Sequence, residues 1–214
     1  MYRVGYIDDQ PTQYENFFRK LKRRCDDLEL VLIEGCKTKD EFLDKIYEMQ
    51  IDVLLIDYKM AGTYGFNGTS LINYINDHIR DLECFILSQV DKEQITDGLV
   101  AERNRFPKTI FDTEAEDLQK TKELNDFVKA LRDSAAVYRT RREQKVERYK
   151  ELLVRKKAGT LGVEEEEFLE LYKVLSSYGM VEKLPERLLN SEFEKKLDKL
   201  LSVGDEIIKK YQEE

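Results

Sequence analysis

Three carboxylates and one hydroxyl stand out as residues that could do chemistry together. Asp8 and Asp9 follow a short apolar run, Tyr2 to Ile7, and Asp57 closes a second run, Val53-Leu54-Leu55-Ile56. Ser88 closes a third, Cys84-Phe85-Ile86-Leu87. Each polar residue sits where a strand should end. If the strands are parallel neighbours, the three acids meet at one edge of a sheet. Charges of one sign at such spacing cannot all stay ionised without a cation to offset them. A hard ion that favours oxygen ligands and keeps several waters, such as Mg²⁺, suits the set. Taken singly, an Asp after a strand is a common turn former or helix cap; the combination points to a site.

The elements that must position these residues follow from the hydrophobic pattern. Short apolar runs alternate with amphipathic stretches, YENFFRKLKRR, DEFLDKIYEM and TSLINYINDHI among them, as in repeated βαβ units with a parallel sheet covered on both faces. A weaker helix is expected over Asp91 to Glu102. A fifth strand is expected over Lys108 to Asp112, because proline is tolerated ahead of a strand and Pro107 stands there. Five strands and five helices make an α/β fold of the flavodoxin-like (βα)5 type, a doubly wound parallel sheet whose ligands sit at the carboxyl ends of the strands.

Beyond Ala115 the strand signals stop. A charged helical stretch runs from about Glu116 to about Lys157, with an apolar stripe through Leu124, Phe127, Val128, Leu131, Ala135 and Tyr138. Its first turns should complete the α/β domain and the remainder should project outward. Ala158-Gly159-Thr160-Leu161-Gly162 breaks it. A second helix is expected from Val163 to Tyr178, and a third apolar region follows Pro185. The organisation expected is an α/β domain over 1–135 and an all-α extension over 136–214, an interaction or dimerisation module, with the fifth helix continuous across the boundary.

Charge and composition narrow the function classes. Residues 1–116 hold 15 Lys and Arg against 23 Asp and Glu, so the whole net charge of −8 lies there. An acidic domain disfavours nucleic-acid phosphates as its partner. Residues 132–157 carry ten basic residues against four acids, including Arg139, Arg141 and Arg142, and 164–214 hold 14 acids against 8 bases, which offers that face an acidic partner within the chain or a second copy. Cys25, Cys36 and Cys84 are scattered and odd in number, as buried thiols of a reducing compartment are. No run approaches a membrane span, and the acid pair at 8 and 9 interrupts any signal-peptide core, so a cytoplasmic location is expected. His78, late in a helix, lies away from the acidic edge and is not a phosphohistidine candidate. Asp57-Tyr58-Lys59 lacks the second Asp of a haloacid-dehalogenase-like DxD motif, which disfavours a phosphohydrolase.

The ordered set Ile7-Asp8-Asp9, Val53 to Asp57-Tyr58-Lys59-Met60, Gly68-Thr69-Ser70-Leu71-Ile72 and Phe85-Ile86-Leu87-Ser88 resembles the receiver domains of two-component response regulators over residues 1–135. The resemblance implies a phosphoacceptor rather than an enzyme. Asp57 would take a phosphoryl group from a phosphohistidine on a histidine kinase or phosphotransfer protein. Mg²⁺ would be held by Asp9, by Asp57, by Asp8 through water and by the Lys59 backbone carbonyl. Ser88 would hydrogen-bond the phosphoryl group and report its presence to the output surface. Two departures stand against it. With the fifth strand at Lys108–Asp112, the family's strand-end Lys is missing, and Lys108 falls at the opposite end, about 13 Å away by strand rise. That gap supports a pseudo-receiver scaffold that works without phosphorylation, or a phosphate reservoir. The stretch Met60 to Gly68 lacks the family's Pro after Met and is longer, as a flexible lid or a solvated insertion would be.

Overall fold

The computed structural model describes residues 1–89, 95, 98–112 and 117–181. Five parallel strands form one sheet in the order β2-β1-β3-β4-β5. They are β1 (Tyr2–Ile7), β2 (Leu28–Leu32), β3 (Val53–Asp57), β4 (Cys84–Ser88) and β5 (Arg105–Pro107). The helices are α1 (Tyr14–Arg24), α2 (Lys39–Glu48), a four-residue α3 (Ala61–Tyr64), α4 (Gly68–His78), α5 (Leu118–Lys157) and α6 (Glu165–Ser177). This is the doubly wound flavodoxin-like order. The chain leaves β1 toward β2 on one side and returns through β3 on the other, so the switch point opens between the carboxyl ends of β1 and β3.

Burial explains why the strands read as continuous apolar runs. β3 and β4 are buried along their whole length, as central parallel strands covered on both faces must be. One face packs Val4, Tyr6, Val53, Leu55, Phe85 and Leu87 against Phe17 and Leu21 of α1 and Leu124, Phe127, Val128, Leu131 and Ala135 of α5. Phe106 and Phe111 close the core's edge, with Phe111 stacked on Phe17 at 4.1 Å. Burial of each large side chain here contributes about 1.5–3 kcal/mol. α2 starts at Thr38, whose hydroxyl accepts from the Glu41 amide at 3.2 Å while the Glu41 carboxylate accepts from the Lys37 amide at 2.6 Å. Those are the reciprocal caps that a Thr followed three residues later by Glu provides.

The fifth strand differs from its sequence expectation. β5 is Arg105–Pro107, paired with β4 from Ile86↔Arg105 to Ser88↔Pro107, and Lys108–Phe111 forms a 3-10 turn beyond it. Pro107 ends the strand instead of preceding it. Proline is tolerated there because β5 is an edge strand. Lys108 therefore stands at the carboxyl end of the sheet. The helix expected over Asp91 to Glu102 lies largely outside the described residues, and the region after Pro185 lies wholly outside them.

At the amino ends of the strands, α5 is tied down by charge. Asp52, the residue before β3, is fully buried; it pairs with Arg139, with Arg142 at 3.2 Å, and accepts from the Arg3 amide at 2.9 Å. Asp27, before β2, pairs with Arg132 at 2.9 Å, and Asp81, before β4, pairs with Lys145 and with Arg141 at 3.6 Å. Five of the ten basic residues for which the sequence offered acids in 164–214 are thus taken by three loops of the α/β unit itself, whereas Arg155 does pair with Glu164. Tyr138 is buried, so α5 stays on this unit beyond Ala135 where the sequence suggested projection.

Backbone contacts divide the chain into Met1–Arg148 and Tyr149–Glu214. In the second unit, Leu152, Leu161 and Phe168 form a small core, with Tyr149 stacked on Phe168 at 5.2 Å. α5 ends where Gly159 takes φ 69°; the Thr160 amide reaches back to the Arg155 carbonyl at 2.9 Å, which is the glycine-dependent Schellman closure.

Candidate functional site

The acid pocket is assembled by strand register. Tyr6 pairs with Leu55 and Ile7 with Ile56, so the residues after β1 stand beside Asp57 at the end of β3. One carboxylate oxygen from each of Asp8, Asp9 and Asp57 lies within 4.8 Å of the others. The sequence-predicted trio is therefore brought together. A pocket of about 190 Å³ opens over it, lined also by Gln10, Thr12, Gln13, Lys59, Gln89 and Lys108.

Lys108 enters this pocket and bridges two of the acids, 2.7 Å from Asp8 Oδ2 and 2.8 Å from Asp57 Oδ1. The sequence expectation of a missing strand-end Lys is corrected: the residue is present, immediately after Pro107. One ammonium faces three carboxylates. Burial pushes the Asp57 carboxyl above its ordinary range; Lys108 pulls against that shift, and Asp8 and Asp9 add to it. Burial works against the Lys108 charge, but its bonds to Asp57 and Asp8 outweigh burial and raise it above an ordinary lysine, so it stays an ammonium.

The three acids are not equivalent. Asp8 is saturated with donors: Oδ1 accepts from the Gln10 amide at 2.9 Å, and Oδ2 accepts from both Lys108 and the buried Tyr6 hydroxyl. Burial and the neighbouring Asp8 raise the Tyr6 phenol far above its ordinary value, so it remains a donor. Asp9, half-buried, accepts only the Thr63 hydroxyl among the described residues, at 3.0 Å on Oδ2. Among the described residues, Asp9 Oδ1, Asp57 Oδ2 and the Lys59 carbonyl accept no hydrogen bond. The clustered carboxylates of Asp8, Asp9 and Asp57, with Lys59 lining the same pocket, form the kind of donor set a hard divalent cation takes. The residues present fit Mg²⁺.

Gly68 fixes the geometry of Asp57 from behind. Its amide donates to the Tyr58 carbonyl at 3.0 Å, and a Cβ there would stand 2.0 Å from the Asp57 carbonyl oxygen. Only glycine lets α4 begin this close to β3. Ser88 is buried at the end of β4, one residue beyond Leu87, the partner of Asp57. Gln89, which follows it, lines the pocket.

The Met60–Gly68 stretch is not an open insertion. Tyr64 and Phe66 stack at 5.9 Å and both meet the buried Phe42 of α2 edge-on, at 5.3 Å and 6.4 Å. These contacts pin the segment, and Thr63 on α3 ties it to Asp9. Tyr6, Thr63 and Lys108 are thus the site residues that the sequence reading missed. Tyr6 had a signal, since it lies two positions before Asp8 on the same face of β1.

No protein-family model and no curated protein matches the chain. Among solved structures, similarity is found to a CheY-like response regulator receiver domain protein from Methanospirillum hungatei, at 14% identity and a TM-score of 0.44, covering 63% of this chain and 96% of that one. The Salmonella typhimurium response regulator RcsB matches at 15% identity and 0.46, covering 85% and 94%. A chain of the complex between histidine kinase ThkA and response regulator protein TrrA matches at 18% and 0.42, covering 58% and 98%.

Proposed function

We propose that the α/β unit is a phospho-accepting receiver in which Asp57 takes a phosphoryl group from a phosphohistidine of a histidine kinase or phosphotransfer protein. The observation that carries this is Lys108 bridging Asp57 and Asp8 at the switch point, beside carboxylate and carbonyl oxygens left unspent.

The Asp57 oxygen that Lys108 vacates attacks phosphorus while the other is left for the cation; a new O–P bond forms as the P–N bond to the imidazole breaks, and the bonding pair returns to the imidazole nitrogen. The product is an acyl phosphate on Asp57. Asp9, Asp57, the Lys59 carbonyl and Asp8 would hold Mg²⁺, which would supply neutralisation of the charge on the transferring group. Lys108 exchanges its bond to Asp57 for one to a phosphoryl oxygen, which suits an ammonium already sharing two acids. Tyr6 and the Gln10 amide keep Asp8 in place while Lys108 moves. Ser88 donates its hydroxyl to the phosphoryl group and so reports occupancy toward β5 and α5. The output is a change in what the helical extension binds, a protein partner or a second copy.

The scaffold and reservoir readings drew their support from an absent strand-end Lys, and Lys108 removes that ground. The basic residues Arg139, Arg141 and Arg142, which a nucleic-acid reading would need, are engaged with Asp52 and Asp81.

The test is incubation of the full chain with Mg²⁺ and a small acyl phosphate donor, followed by intact mass. A gain of one phosphoryl group in the native protein, absent from Asp57→Ala and from samples with chelator, is the expected outcome. No gain in the native protein would reject the proposal.

A further inference from the structure

The tie between Thr63 and Asp9 gives the Ala61–Asn67 segment a role in the site. Resting on the cation reading above, we infer that Thr63 is a positioning residue: its hydroxyl orients Asp9 for the divalent ion and links occupancy of the pocket to order in this segment.

Asp9 is the acid with the least support of its own. Among the described residues, Asp8 has three donors and Asp57 is nine-tenths buried with Lys108 on one oxygen, whereas Asp9 is half-buried and takes a single hydrogen bond. A carboxylate at a pocket rim with free torsions loses rotamer entropy when it binds an ion. The Thr63 hydroxyl, 3.0 Å from Oδ2, removes that freedom in advance and leaves Oδ1 unengaged among the described residues, on a side chain that lines the pocket. A hydroxyl has one proton to donate, so the bond engages one oxygen and spares the other. Partners of this kind behind a ligating carboxylate typically change metal affinity by about 10 to 100-fold when removed.

Thr63 holds this position because its neighbours are fixed from α2. Tyr64 and Phe66 are packed on Phe42, which is fully buried, and Lys39 lies over the Phe66 ring at 5.3 Å. Gly65, at φ 76°, turns the chain between the two aromatic residues so that both reach the same ring. Thr63 itself is exposed and buries no core surface. Replacing it therefore removes the tie without opening a cavity.

The experiment is Mn²⁺ binding to the full chain, read by the loss of the free-ion paramagnetic resonance signal. Native protein, Thr63→Val, Thr63→Ser and Asp9→Asn are compared, with hydrogen exchange of residues 61–67 followed with and without the ion. Thr63→Val should bind Mn²⁺ about 10-fold more weakly, Thr63→Ser should stay within about twofold of native, and Mn²⁺ should slow exchange in 61–67 in the native protein but not in Thr63→Val. All four should unfold normally in chelator, which a merely structural role for Thr63 would not predict. Native affinity in Thr63→Val, or equal losses in the Ser and Val variants, would overturn this inference while leaving the phosphoacceptor proposal standing. A native protein that binds no Mn²⁺ would overturn the cation reading and this inference with it.

Discussion

Asp52 and Asp57 flank the same buried strand, and the protein treats them in opposite ways. Before β3, Asp52 meets two guanidinium groups and a backbone amide, and across that end five cations, Arg132, Arg139, Arg141, Arg142 and Lys145, serve three acids. After β3, Asp57 shares one ammonium with Asp8, while among the described residues Asp9 has none. The amino end has its charges settled and holds α5 in place. The carboxyl end is left short of positive charge, which is what the proposed cation site requires. A buried aspartate is therefore diagnostic only through its partners.

The sharpest way to break this contrast is to remove each acid in turn. Asp52→Ala leaves Arg139 and Arg142 facing each other without a counter-ion; removing one partner of a buried pair costs about 3–5 kcal/mol, and Arg139's side chain keeps 27% exposure, so about 3 kcal/mol is expected in urea unfolding. Gly68→Ala comes next: a methyl group 2.0 Å from the Asp57 carbonyl oxygen must move β3 or α4, for a loss of about 2–3 kcal/mol and a weakened Mn²⁺ site.

Asp57→Asn should go the other way. In chelator it should stabilise the fold by about 0.5–2 kcal/mol, the usual size of a helpful single substitution, and it should lose the stabilisation that Mg²⁺ gives the native protein. pH gives the same contrast a sign. Because the folded protein holds the Asp57 proton more tightly than the unfolded chain does, its contribution to stability is present below the unfolded carboxyl value, near about 3.9, and is lost as pH rises through the folded value. The native protein should therefore lose ground to Asp57→Asn as pH rises from about 4, measured as the difference in urea midpoints. The smallest effect belongs to the Asp27–Arg132 pair, which is solvent-screened: Arg132→Ala should leave the midpoint unchanged within error.

Much of this was legible in the sequence because the period of the pattern matched the fold. Val53 to Asp57 and Cys84 to Ser88 read as buried strands, and the acids at their ends followed from parallel topology alone. Lys108 was not legible, since proline fits both the opening and the edge of a strand. The apolar Ile110 and Phe111 made the 3-10 turn look like β structure, whereas Phe111 is apolar because it stacks on Phe17. Asp52 carried no signal in the sequence because its partners lie 87 and 90 residues away. Thr63 sits in a stretch whose glycines suggest looseness, and only the aromatic contacts with Phe42 reveal that it is held.

The most direct test of the central claim is where the phosphoryl group sits. After reaction of the full chain with a small phosphodonor and Mg²⁺, borohydride cleaves an aspartyl phosphate reductively and marks the residue that carried it as homoserine, which peptide mapping locates. The mark is expected at position 57 alone, lost in Asp57→Asn and in chelator. A mark at Asp8, Asp9 or elsewhere, or an unmarked chain, would contradict that claim.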